Sequence, residues 1–299
     1  MSFKKVITFI IDQINNRLSI YIFKNQNLLT YNIFSIFYKL NICNKNFKKK
    51  IFNDSFGKLG TLKNGLIHQI NKDLELQRTN MGQKFLRYEI NENLKSIIKK
   101  IINQDLHKYL LDFENYYNSR VSLAWAGISR NYPIKDHSKE AYSNYYHNDA
   151  YTYNLFKIFI NLHDVTLSNG PMHLVKKNKS KNFIKFHRYK SRNDYLKNLK
   201  TPDDYVYINT GNQGDIFFCN TTELIHKAGE PTEGNFRDML FLNFVTTPNH
   251  LKQSNFLYLE EQGYNLFDYN ALVPKIFAKP IGLKKLTNLY KSFKNNKIN

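Results

Sequence analysis

Residues 153–175 read YNLFKIFINLHDVTLSNGPMHLV, and this stretch decides the fold class. Its first ten residues are mostly apolar and rich in isoleucine, phenylalanine and tyrosine, a composition typical of a β-strand. An Asn-Gly-Pro turn at 169–171 precedes a second short apolar run at 172–175. Two strands joined by such a turn indicate a β-rich core rather than a helical one.

Further strands are predicted on both sides of this stretch, at 120–128, 205–209, 215–219 and 237–246. Short strands separated by Gly, Asn and Pro turns favour a β-sandwich or barrel. Upstream, residues 91–103 carry apolar side chains at helical spacing, and a second helix is predicted at 106–116. The fold class is therefore mainly β with flanking helices.

The same patterns divide the chain into three segments. We predict that residues 1–84 form a mostly helical N-terminal extension packed on the core, and that 85–250 form the β-rich domain. Residues 251–299 form a C-terminal helical tail rich in lysine, with an amphipathic helix at 280–299.

Composition limits the class of protein. The chain has 299 residues and is 42% hydrophobic, which is typical of a globular protein. A net charge of +20 suggests a nucleic-acid partner. An AT-rich genome would also produce this heavy use of Lys, Asn, Ile, Tyr and Phe, so we expect no specific nucleic-acid partner. No apolar run is long enough for a membrane span, and no signal peptide is evident. Two cysteines, Cys43 and Cys219, favour a reducing, cytoplasmic location.

A candidate metal site begins at His147-Asn148-Asp149. In extended backbone, residues i and i+2 point the same way, so His147 and Asp149 can reach one ion. His226 lies just before another predicted strand, and closing a β-sandwich brings distant strand ends together. Two imidazoles and one carboxylate can hold a ferrous ion and leave its other positions open. The plainer interpretation is a polar loop beside a strand.

Arg237 begins the predicted strand at 237–246 and shares one face of it with Met239, Phe241 and Asn243. A guanidinium on an inner face needs an anionic partner, and its planar fork suits a carboxylate. That partner is either a dicarboxylate co-substrate or a structural salt bridge, for example with Asp215 or Glu223.

Residues 176–200 contain ten Lys or Arg residues and one acidic residue, with four aromatic side chains among them. If this segment forms a rim over the site, it attracts an anionic substrate carrying a phosphate, carboxylate, nucleotide or acyl-carrier group. The alternative is a solvated insertion.

Taken in order, these motifs resemble the phytanoyl-CoA dioxygenase family. The resemblance rests on YHND at 146–149, on the strand, "DV" turn and "NGP" motif within 156–175, and on GDIFF at 214–218 followed by His226 and Arg237. It covers roughly residues 85–250. One departure is KKNKS at 176–180, where the family usually has a stretch like P-G-S-H, so the substrate cannot be carried over.

The resemblance implies a double-stranded β-helix, a jelly-roll and cupin-like core, that uses Fe(II), 2-oxoglutarate and O2. By position, His147, Asp149 and His226 would bind the iron, and Arg237 would bind the distal carboxylate of 2-oxoglutarate. Tyr153 and Lys157 fall where related enzymes contact the co-substrate. Their plainer interpretations are core packing for Tyr153 and a solvated strand end for Lys157.

The expected activity is hydroxylation of an unactivated C–H bond in a small or carrier-linked, anionic substrate. Retention of Asp149 favours hydroxylation, because related halogenases carry a small residue at that position. The alternative function is a non-catalytic jelly-roll binding module that uses a basic face on nucleic acid or an anionic membrane. Peripheral membrane contact through the N-terminal region or the C-terminal helix also stays open.

Overall fold

The structure is a computed structural model that describes residues 53–78, 85–117, 120–137, 140–149, 155–181 and 205–247. The expected helices of the first forty residues, the C-terminal helix at 280–299 and Tyr153 lie outside these residues. None of the helices described is long and apolar enough to cross a membrane.

The elements run in chain order as β1 (Phe56–Thr61), α1 (Asn64–Gln77), β2 (Phe85–Tyr88), α2 (Glu92–Lys100), α3 (His107–Tyr117), β3 (Arg120–Asn131), β4 (Phe156–Asn161), β5 (Met172–Val175), β6 (Val206–Asn209), β7 (Asp215–Cys219), β8 (His226–Lys227) and β9 (Arg237–Thr247). A π-helical turn, Ile101–Asp105, joins α2 to α3. The predicted strands and both predicted helices are confirmed, with ends that differ by a few residues.

Two antiparallel sheets are formed. The large sheet has the order β1-β7-β4-β9-β3-β2, and the small sheet has the order β6-β5-β8. A bridge between His147 and His226 extends the small sheet beyond β8. From β3 onward the chain passes repeatedly from one sheet to the other, so that β4 pairs with β7 and β9, and β5 pairs with β6 and β8. This is the jelly-roll topology, which confirms the predicted double-stranded β-helix.

The large sheet has two different apolar faces, as the period-two patterns of its strands require. One face packs against the helices in a core that includes Ile158, Leu240, Leu242 and Phe244. The opposite face meets the small sheet in a second core made of Phe159, Met172, Leu174, Phe217, Cys219 and Leu224, with Met239 and Phe241 beside it. Lys157 and Asn243, which are opposite each other in the pairing of β4 with β9, lie on the same strand faces as Phe159 and Phe241 of this second core.

A side-chain cap fixes the start of α2. The side chain of Asn91 accepts a hydrogen bond from the Leu94 N–H and caps α2.

Residues 53–78, within the segment expected to be a helical extension, contribute α1 and also β1, which pairs with β7 along the edge of the large sheet. The three-segment division of the chain remains a proposal.

Candidate metal centre

The two histidines are brought together by backbone pairing. The N–H of His147 donates to the His226 carbonyl (2.9 Å), and the N–H of His226 donates to the His147 carbonyl (2.8 Å). Residues that exchange both hydrogen bonds lie directly opposite each other, with side chains on one face. The two imidazole centroids are 4.3 Å apart.

Asp149 completes the cluster. The Asp149 N–H donates to the Thr221 carbonyl (2.8 Å). The loop that carries Thr221 is held by Asn220, whose side chain accepts from the Glu223 N–H (3.2 Å) and donates to the Tyr117 hydroxyl (3.1 Å). A loop anchored to α3 therefore fixes the backbone of Asp149.

The ligand atoms of His147, Asp149 and His226 lie within 4.8 Å of one another, and each of these residues is at most 5% exposed. Hydrogen bonding sets the tautomer of both imidazoles. Nδ1 of His147 lies 2.8 Å from the Tyr145 carbonyl, and Nδ1 of His226 lies 3.1 Å from the Leu224 carbonyl. Since a carbonyl only accepts, each Nδ1 donates a proton there, and Nε2 is the ring nitrogen that remains for a metal ion.

The two Nε2 atoms lie on either side of the Asp149 carboxylate. Nε2 of His147 is 3.8 Å from Oδ1, and Nε2 of His226 is 3.9 Å from Oδ2. These distances are too long for hydrogen bonds. They leave three ligand atoms of the right chemical type facing one small volume.

Lys157 gives Asp149 a positive neighbour, with Nζ 2.6 Å from Oδ2. The contact is a close ion pair between an ammonium group and a carboxylate. Burial raises the pKa of the Asp149 carboxyl, but Lys157, His226 and His147 outweigh it and hold the pKa well below its usual range. Asp149 is therefore an anion, as a metal ligand must be.

The cluster fits a divalent metal ion. It combines a buried, ionised carboxylate with two imidazoles whose Nδ1 atoms donate to backbone carbonyls, so that each Nε2 remains for the ion. A polar loop beside a strand would expose these side chains, whereas the structure buries them between the sheets.

Arg237 lies on the inner face of β9, as predicted, beside Met239 and Phe241. It is 3% exposed, its Nη1 donates to the Gly170 carbonyl, and its Nε has no hydrogen-bond partner among the residues described. Burial lowers the pKa of Arg237 to about 10, although the nearby Tyr142 raises it.

Arg237 does not form the structural salt bridge with Asp215 or Glu223 that the sequence left open as an alternative. Asp215 pairs with Lys58 at 2.6 Å, and Glu223 pairs with Lys177 at 2.7 Å. The structure gives Arg237 a neutral carbonyl instead of either carboxylate. A buried guanidinium whose Nε has no partner among the residues described has the chemistry to pair with an anion.

The Asn-Gly-Pro turn positions the carbonyl that receives Arg237. Gly170 has a φ of 67°, and a Cβ there would lie 2.4 Å from backbone atoms of Glu230 and Pro231. Only glycine fits this position, because the left-handed conformation and the close backbone approach both exclude a side chain.

Gly170→Ala should lower the free energy of unfolding by about 2–4 kcal/mol, since left-handed strain and a backbone clash add together. Urea unfolding measures the change. Gly234→Ala is the matched control, because Gly234 also has a positive φ (77°) but nothing lies within 4 Å of its Cβ position. Equal losses in the two variants would show that the clash with 230–231 is unimportant.

Two polar residues near the triad were not assigned a role from the sequence. Thr221 supplies the carbonyl that holds Asp149. Asn243 is fully buried and lies opposite Lys157 in the register of β4 and β9. The two-residue alternation of the strand had placed Asn243 on the same face as Arg237. That position was the one sequence signal that Asn243 lies near the site.

Comparisons with known proteins add a fold likeness only. No protein-family model and no curated protein matches the sequence. Among solved structures, HygX from Streptomyces hygroscopicus with nickel and 2-oxoglutarate bound has 14% identity and a TM-score of 0.47, over 66% of this chain and 85% of that one. The non-heme alpha ketoglutarate dependent epimerase SnoN from nogalamycin biosynthesis has 13% identity and a TM-score of 0.44, over 66% and 80%. The non-heme monooxygenase ThoJ has 11% identity and a TM-score of 0.43, over 68% and 78%.

These identities and TM-scores are too low to carry an argument about activity. The jelly roll is therefore assigned from its strand order and register, and the site from its own geometry.

Proposed function

We propose that this chain is an Fe(II)- and 2-oxoglutarate-dependent oxygenase. The observation that carries the proposal is the buried cluster of His147, Asp149 and His226 between the sheets of a jelly roll. Two imidazoles and one carboxylate on one side of an ion are typical of non-heme Fe(II) oxygenases, because the remaining positions stay open.

Each residue has a defined part in this function. His147, Asp149 and His226 each offer one ligand atom, and their backbone hydrogen bonds keep the three atoms together. The guanidinium of Arg237 pairs with the distal carboxylate of 2-oxoglutarate, which supplies the countercharge that the residues described do not give it. The inner-face apolar side chains Phe159, Phe217 and Phe241 limit the entry of water.

When bound, iron supplies the oxidising chemistry: O2 and 2-oxoglutarate are converted to succinate and CO2 while one oxygen atom is inserted into a substrate C–H bond. We propose hydroxylation as the outcome because Asp149 is retained as the third protein ligand. The function of Tyr153 and Lys157 as co-substrate contacts also remains a proposal. Tyr153 lies outside the residues described, and Lys157 is paired with Asp149.

Anaerobic titration tests the assignment. Adding Fe(II) and then 2-oxoglutarate to the protein should produce a weak visible charge-transfer band, and admitting O2 should release succinate. A screen of anionic metabolites for faster succinate release then identifies the substrate class. No band together with tight DNA binding would support the alternative binding module and reject the enzyme.

We further propose that the substrate is anionic. The basic run starts beside the metal centre, because Leu174 on β5 pairs with His226, and Ser180 binds the neighbouring strand through the Ile225 N–H (3.0 Å). Of the described lysines there, Lys177 is paired with Glu223, whereas Lys176, Lys179 and Lys181 are exposed. The Lys179 ammonium also lies over the Tyr205 ring. Residues 182–200, which complete the predicted rim, lie outside the part of the chain described.

Reversing two of the exposed charges, in Lys179→Glu with Lys181→Glu, should raise the KM of the anionic metabolite found in the screen by about 3- to 10-fold at low salt. The difference should shrink as salt rises, because exposed charges are screened. Steady-state kinetics across a salt series measures the effect. Lys63→Glu with Lys72→Glu, on the helical side of the protein, should leave KM unchanged. A KM independent of charge and salt would reject the rim.

A further inference from the structure

Lys157 is held inside the protein beside the metal centre. It lies on the inner face of β4, opposite Cys219 on β7 and Asn243 on β9, both of which are fully buried. Its side chain is 17% exposed. A lysine so enclosed cannot simply extend into solvent, so its ammonium group must be stabilised by the protein.

The partner of this ammonium is Asp149, one of the three proposed metal ligands. Nζ lies 2.6 Å from Oδ2 of Asp149, whose side chain is 5% exposed. Without a metal, a carboxylate this deeply buried needs a countercharge, and Lys157 supplies it. With a metal bound to Asp149, the ammonium and a divalent cation would share one carboxylate, and burial leaves their repulsion weakly screened.

We propose that Lys157 is the resident counter-ion of Asp149, which stabilises the metal-free site and opposes the binding of a divalent cation. This inference rests on the proposed metal function of the triad. It differs from the expected role of Lys157 as a co-substrate contact, since the interaction it assigns is with Asp149 and operates before any ligand enters.

The proposal predicts two opposite effects of neutralising this lysine. Lys157→Met keeps an aliphatic stem between Cys219 and Asn243 but removes the charge. The metal-free protein should become less stable, because the Asp149 charge loses its partner. Mn²⁺ should bind at least about tenfold more tightly, because the competing cation is gone. If Lys157 instead only oriented Asp149 as a ligand, its removal should lower the metal affinity by about 10- to 100-fold.

Mn²⁺ titration followed by electron paramagnetic resonance measures affinity without any turnover, and thermal unfolding with and without Mn²⁺ measures stability. Lys157→Arg keeps the charge and should bind Mn²⁺ as the wild type does. Lys58→Met is the matched control, because Lys58 pairs with Asp215 at the same 2.6 Å but away from the triad. It should leave Mn²⁺ affinity unchanged.

The outcomes separate the two proposals. Wild-type protein that binds no Mn²⁺ would reject the metal function itself. Wild-type binding with equal or weaker binding in Lys157→Met would reject the counter-ion and leave the metal site intact. If Lys157→Met is unfolded without metal, Mn²⁺ should restore cooperative unfolding, and a variant that stays unfolded at saturating Mn²⁺ would overturn the proposal. Lys157→Gln, which is uncharged but keeps a polar end, should show the same tighter binding.

Discussion

Replacing Asp149 with alanine should reduce 2-oxoglutarate-dependent succinate release to less than about 1% of the wild-type rate. Loss of a residue that only orients a metal ligand typically lowers metal affinity or activity by about 10- to 100-fold. Asp149 is proposed as a ligand itself, so its loss should cost more. The variant also leaves the Lys157 ammonium beside two imidazoles with no carboxylate between them. A metal ion would then meet a positive charge where it now meets an anion.

Succinate is measured with Fe(II), 2-oxoglutarate and O2, with the substrate found in the screen and also without it. Asp164→Ala is the control, because Asp164 is an exposed aspartate whose carboxylate accepts a hydrogen bond from the Gln213 N–H on a distant turn. It should keep wild-type activity. Undiminished substrate-coupled turnover in Asp149→Ala would falsify the assignment of the triad.

Replacing Arg237 with glutamine should raise the KM for 2-oxoglutarate by about 30- to 4000-fold. Removing one partner of a buried charge pair costs about 2–5 kcal/mol, and about 1.4 kcal/mol corresponds to a factor of ten. The guanidinium is buried, and no carboxylate of the residues described was found to neutralise it. The largest effect should therefore appear when the anionic co-substrate binds.

The stability of Arg237→Gln distinguishes binding from folding. A buried charge without an ionic partner is costly, so its removal should leave the free energy of unfolding of the metal-free protein unchanged or higher. Arg237→Lys keeps the charge but loses the planar fork and should recover only part of the affinity. Arg87→Gln, on the exposed face of β2, is the control and should change neither property. A large loss of stability with an unchanged KM would assign Arg237 to the core instead.

Much of the jelly roll was predictable because its strands carry strong local patterns. The runs at 172–175 and 215–219 match β5 and β7 residue for residue, since apolar strands buried on both faces leave little ambiguity. The alternation in β9 correctly placed Arg237 with Met239 and Phe241. By contrast, β1 and β2 were not predicted, because edge strands are short and their pairing with β7 and β3 is non-local.

The candidate ligands could be named from residue types and spacing, since H-x-D in extended backbone puts both side chains on one face. The order of motifs added His226 and Arg237. No local pattern, however, showed that Lys157 would reach Asp149. That contact joins the start of β4 to a loop held by Thr221, and it depends on how two sheets stack.

By itself, the sequence determined which residues face inward and which of them could bind a metal, because side-chain direction follows from the two-residue period of a strand. Only the tertiary structure decided what those residues meet. The His147–His226 bridge, the ion pair of Lys157 with Asp149 and the contact of Arg237 with Gly170 each join segments whose meeting is fixed by sheet pairing and stacking. Charges buried at such junctions acquire their function from their partners, and those partners are distant in the chain.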